Sequence, residues 1–352
     1  MTTRTCCVCL GAGGILAAGL AGGLAAYLQG GLPAAAAQGR PDHFRYIPAD
    51  AHLVAFADVR AVMTSDLRAR LQERQPEDDG SDFESRTGIR MASDIDEALV
   101  CLAPDPSDAA SLLVMLSGRF DQERLESLAV ENGGTVSEYD GHAIVATTIG
   151  DSRLAMAFVE PGVLAVGSEA LVLGAIGLVD GGDNVTANAR LMTLLSKVDP
   201  GSNAWAVGDL DRAGSGAWMP ERLDLRALRV TAFSVAGRVN GGVRLTLQVE
   251  TPDEAASQNL RDILQGFLAL ARMQADAQPE IAAILDSVQL RSAPEEYVVS
   301  LSMTLPTATV EWLWDQALEG AGGAGSVDPD LPRAPPGPAE RVPDRDGPAS
   351  PG

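Results

Sequence analysis

The chain has 352 residues, 46% of them hydrophobic, which is enough for one large domain or two ordinary ones and excludes a disordered chain. Asp and Glu outnumber Lys and Arg 48 to 26; the formal net charge of −22 repels polyanions at long range and disfavours nucleic acid as a partner. Of four cysteines, Cys6, Cys7 and Cys9 precede an apolar stretch and only Cys101 follows it, so a chain that loses its leader has no internal disulfide. "CCVC" also lacks the second ligand pair that a zinc site needs.

From Val8 to Leu28 there is no charge, and a bilayer-spanning helix needs about 20 apolar residues. Gly11, Gly13, Gly14, Gly19, Gly22 and Gly23 dilute the stretch, which makes it marginal as a permanent span. In "LQGGLPAAAAQGR", Leu28 to Arg40, Ala35 and Ala37 meet the small-x-small rule of signal peptidase, and Pro33 breaks the helix just before them. The expectation is therefore export, with cleavage between Ala37 and Gln38. Residues 1–37 are a signal peptide or, alternatively, a single-pass anchor that contacts membrane through residues 8–28. Either places the rest outside the cytoplasm, in the periplasm or cell envelope, and a retained leader would hold it to the inner membrane by a single N-terminal helix.

The run Leu53 to Ala57 reads as a buried strand, and Asp58 then caps a helix of roughly 14 residues with Val59, Val62, Met63, Leu67 and Leu71 on one face. After a polar stretch, "DIDEALVCLA" reads as a short helix or strand and "SLLVMLSGRF" as a strand. Asp121 opens a helix that Asn132-Gly133 ends. Hairpins turn at Asp140-Gly141 and Pro161-Gly162, and two helices follow, Ser168 to Val179 and Ala187 to Val198.

From Ser202 the pattern begins again. "AWAVGDL" (204–210) echoes "LVAFADV" (53–59), and "SVAGRV" (234–239) echoes "MLSGRF" (115–120), which suggests two similar halves, 38–200 and 201–319. "VNGGVRLTLQVE" then reads as a strand pair. Thr251, Pro252 and Glu254 read as the capping box of a long helix. Ala256, Leu260, Ile263, Leu264, Phe267, Leu268 and Ala271 form its stripe, so truncating Leu264 or Phe267 is expected to leave a core cavity. Pro279 starts a short helix, "EYVVSLSMTLP" is an alternating strand, and Pro306 begins a last helix with Trp312 and Trp314. Residues 320–352 are a Pro/Gly-rich acidic tail whose composition predicts disorder. The expected class is α+β, with mixed or antiparallel sheets and packed helices.

No catalytic constellation emerges. His43, His52 and His142 lack ligand spacing, Ser168 in "VGSEA" reads as a helix N-cap, and no G-x-S-x-G elbow occurs. Asp78, Asp79, Asp82 and Glu84 do not match a calcium loop and read as a solvated acidic segment. No catalytic, cofactor-binding or metal residue is therefore assigned. The expected function is a non-enzymatic binding or scaffold protein of the envelope; the alternative is a carrier of a lipid or other apolar ligand under the striped helix.

At "RYIPADAHLVAFADV" and "FDQERLESLAVENGG", and on through "SNAWAVG" and "GGVRLTLQVETPDEAASQNLRDILQGFLALAR", the chain resembles a group of bacterial exported or membrane-anchored proteins. These share an apolar leader and a Tyr-x-Pro-Ala opening, and the resemblance covers roughly Phe44 to Leu318. It implies an extracytoplasmic α+β domain with a duplicated core and no assigned activity, so it carries over no site residues.

Overall fold

A computed structural model describes residues 42–74, 84–85, 87–105, 108–149, 152–212, 228–239, 242–275 and 279–314. The leader, the segment with Asp78, Asp79 and Asp82, and the tail lie outside them. All described residues fall in one compact unit that ends at Trp314.

The strands are β1 (Leu53–Asp58), β2 (Ile95–Asp105), β3 (Asp108–Gly118), β4 (Thr135–Tyr139), β5 (His142–Ile149), β6 (Ser152–Glu160), β7 (Val163–Ser168), β8 (Ala204–Asp209), β9 (Ala232–Val239), β10 (Gly242–Glu250), β11 (Gln289–Ala293) and β12 (Val298–Pro306). They form one sheet in the order β11-β12-β10-β9-β8-β1-β2-β3-β7-β6-β5-β4, antiparallel at every pairing. The fold is α+β.

The helices are α1 (Val59–Met63), α2 (Asp66–Arg74), α3 (Met91–Asp94), α4 (Gln122–Glu131), α5 (Glu169–Gly177), α6 (Ala189–Ser196), α7 (Glu254–Ala275), α8 (Pro279–Ser287) and α9 (307–314). The expected 14-residue helix after Asp58 is two pieces. Asp58 caps it as expected, accepting from the Ala61 N–H, but at Thr64 and Ser65 both hydroxyls turn back onto carbonyls of α1 and the chain bends before α2. Both hairpin turns stand where the sequence puts them, with Asp140, Gly141 and Gly162 at positive φ (49°, 76° and 78°).

Strands β1 and β8, which echo one another in sequence, are neighbours: Ala55 faces Ala206 and Phe56 faces Trp205 at the centre of the sheet. Outward from this pair the positions run β2, β3, β7, β6 on one side and β9, β10, β12, β11 on the other, so the hairpin β4–β5 is extra to one side. The second sequence echo does not follow this order, because β9 is the first strand out and β3 the second.

Alternation assigns the faces. On one, Val54, Phe56, Leu99, Cys101, Leu113, Met115, Trp205 and Val207 pack with Leu171, Val172, Ala175 and Ile176 of α5 and Leu191 and Leu194 of α6. On the other, Leu125 of α4 meets Val114, Leu116 and Phe158. Leu67 and Leu71 of α2 and Ile284 of α8 meet Val243, Leu245 and Leu305 there, and Leu260 and Leu264 of α7 meet Val249, Val299 and Leu290. Where β10 and β12 continue the α5–α6 face, their cross-strand pairs are Arg244–Thr304, Thr246–Ser302 and Gln248–Ser300, polar residues that need no helix above them.

Candidate functional site

The densest group of titratable side chains surrounds the 3-10 turn Asp42–Tyr46. This turn is inserted in the core: Phe44, Tyr46 and Ile47 are fully buried, and Phe44 meets Trp205 edge-on at 5.9 Å. His43 Nε2 lies 3.5 Å from Glu97 Oε2, Arg45 Nη2 lies 2.7 Å from Glu160 Oε2, and the Arg45 guanidinium sits 4.8 Å over the Tyr46 ring. Burial lowers the His43 pKa. It raises that of Glu97, helped by Asp58, Asp42 and Asp96, and burial with Glu160 nearby pushes Tyr46 up to about 12.

A neutral histidine beside a carboxylate of raised pKa is a pair that acid–base catalysis uses. Here, however, each member ties the turn to a strand, His43 to β2 and Arg45 to β6. Asp58 spends its carboxylate on capping α1, and Arg60 pairs with Asp96. An open depression on the molecule is lined by Val136, Ser137, Glu138, Gly141 and Ala143 on the β4–β5 hairpin, which includes none of this cluster. The arrangement is a staple that fixes the start of the domain to its sheet.

The other weighed residues are dispersed. His52 is buried beside β1, with neither ring nitrogen hydrogen-bonded among the described residues; burial lowers its pKa while Asp50 and Asp209 oppose. His142 Nδ1 lies 3.0 Å from the Phe158 carbonyl oxygen and links β5 to β6. Ser168 stands at the N-cap of α5 as expected, but its hydroxyl makes no capping bond. Cys101 is fully buried and its thiol is pushed far up, so it is unreactive. Among the described residues no group of His, Cys, Asp and Glu has the arrangement of a metal site.

One surface feature stands apart. Helix α7 begins two residues later than the sequence pattern suggests. Asp253 Oδ1 accepts from the Ala256 N–H, whereas the Thr251 hydroxyl donates to the Tyr297 carbonyl and so leaves the capping role. Ala256, Ser257 and Leu260 are buried, but Ile263, Phe267, Leu270 and Met273 are 42%, 66%, 57% and 75% exposed. The expectation that Phe267 fills the core is therefore corrected: at 100° per residue, the apolar positions from Met273 round to Leu268 cover about 220° of the helix, far more than one buried stripe. The sheet covers Leu260 and Leu264 in the first half of α7; Phe267, only about 20° round the axis from Leu260 but two turns further on, is bare, as is the arc through Ile263 and Leu270 to Met273. That excess width was the available sequence signal.

No protein-family model matches the chain, and no curated protein sequence does. Among solved structures, crystal form III of TP0453 superposes with a TM-score of 0.48 at 9% identity, over 78% of this chain and 99% of that one. Crystal form IV of TP0453 gives 0.41 at 10% identity, over 78% and 95%.

Proposed function

We propose that the chain is a non-enzymatic protein of the bacterial cell envelope that acts by presenting a contact surface, with residues 1–37 as its export signal or anchor. The observation that carries this reading is the bare apolar side of α7: four large side chains at helical spacing are held in solvent by a well-capped helix. The reactive groups support it from the other direction, since His43, His142, Asp58 and Glu97 are each engaged in fastening one element to another. A carrier would need an apolar hollow beneath α7, and at that place Leu260 and Leu264 meet Val249, Val299 and Leu290 instead. The packing favours a solid scaffold over a lipid-filled one.

The location part rests on the leader sequence. Protease added to cells whose outer barrier has been opened but whose inner membrane is intact should digest the domain. Complete protection, with digestion only after lysis, would overturn it. The non-enzymatic part predicts that His43→Ala and His52→Ala chains restore whatever phenotype follows loss of the protein; failure of a stably folded variant to do so would reverse that conclusion.

A further inference from the structure

We infer that, in the chain that keeps its leader, the ridge Ile263, Phe267, Leu270 and Met273 of α7 lies in the interfacial layer of a lipid bilayer, the one that residues 8–28 would enter as an anchor. This deepens the contact-surface reading and rests on it. The exposed part of α7 has the build of an interfacial helix: a Phe, a Leu, an Ile and a Met share one side, Arg261, Asp262, Gln265 and Arg272 are exposed off it, and Leu260 and Leu264 pack on the sheet between them. Arg261, Gln265 and Arg272 stand on the side of the helix opposite the ridge, and Asp262 borders it beside Met273.

The chain outside the described residues indicates which apolar phase is available. Residues 8–28 carry no charge, and they end 13 residues before Asp42. Thirteen extended residues reach at most about 45 Å. No further slack exists beyond that point, because Phe44, Tyr46 and Ile47 lock the chain into the core. The turn at Asp42–Tyr46 and α7 lie on opposite faces of the sheet. A tether of about 45 Å still exceeds the thickness of two packed layers at about 10 Å each. A domain tethered this closely returns repeatedly to the bilayer surface, and α7 is its most apolar exposed side. The net charge of −22 sets the lipid preference: contact comes from apolar area, and anionic headgroups weaken it.

The test uses the full chain with Cys6, Cys7 and Cys9 replaced by serine; Cys101 is kept because it is fully buried. An environment-sensitive fluorophore is attached to the Phe267→Cys variant or to the Gln265→Cys variant, and each is reconstituted into phosphatidylcholine vesicles. The Phe267→Cys label should be quenched several-fold more by a spin-labelled lipid than by aqueous iodide, and the Gln265→Cys label the reverse. Equal iodide quenching at both sites overturns the proposal. So does a Phe267→Cys label shielded from both quenchers until the protein is diluted among more vesicles, which would mean that a second copy covers the ridge. Met273→Cys repeats the measurement should the first variant unfold. Because the vesicles report contact whatever the protein's address in the cell, failure here leaves the protease result standing, and the converse holds.

Discussion

Helices α5 and α7 are both apolar over more than one face, yet the structure treats them differently. Helix α5 lies over β2, β3, β6 and β7 and is also touched by the Asp42–Tyr46 turn, so Leu171, Val172, Ala175 and Ile176 are all buried. Helix α7 lies at the sheet margin over β11 and β12, beside α8 and the 294–296 turn, and Ile263, Phe267, Leu270 and Met273 of its other flank stay exposed. Place in the sheet, more than side-chain type, decides whether an apolar residue becomes core or contact surface.

The largest effect should come from the covered helix. Ile176→Ala leaves a cavity with neighbours on every side and should cost about 2–5 kcal/mol in denaturant melts. A loss under 1 kcal/mol would mean that α5 is no better covered than α7. Glu250→Ala should cost about 1.5–3 kcal/mol, because Glu250 accepts from both Arg190 and Lys197 of the α6 segment at 2.8 Å and ties that cover to β10. Asp253→Ala should cost about 1 kcal/mol by uncapping α7, and Thr251→Ala should lose its bond to Tyr297 without the helical content falling as it does for Asp253→Ala.

A smaller effect should follow pH. His52 and His43 have lowered pKa values in the folded protein, so below the ordinary value of about 6.5 the unfolded chain binds more protons. Stability should therefore fall as pH drops from 6.5 towards the lowered values. The His43→Gln, His52→Leu double variant should show a flatter profile across that window. Glu97 and Asp58 work in the opposite direction at lower pH, since their raised values make protonation favour the folded state. The smallest change of all is expected at the bare flank: Met273→Ala should shift stability by less than about 0.5 kcal/mol.

What could be read from the chain was what is local. Strands β1 and β3, both hairpins and α4 depend on alternation, turn residues and an Asp121 cap that lie within a few residues of one another. Strand β11 was missed because "QLRSA" is short and mostly polar; it exists by pairing with β12, from Gln289–Ser302 to Ala293–Val298. The Thr251 capping pattern misled because a distant carbonyl, that of Tyr297, competes for its hydroxyl. The α7 ridge needed knowledge of neighbours. A sequence shows that Phe267 is apolar, but only the place of α7 at the β11 margin of the sheet shows that the side chain stays 66% exposed.

Paired thermal melts of Leu260→Ser and Met273→Ser, about 140° apart round the axis, test most directly whether α7 has one covered and one bare apolar side. Leu260 is 4% exposed and Met273 75%. The covered-side variant should lower the midpoint by many degrees, while the bare-side variant should stay within about two degrees of the parent. Equal losses at both positions would contradict the account, since Met273 would then belong to the core.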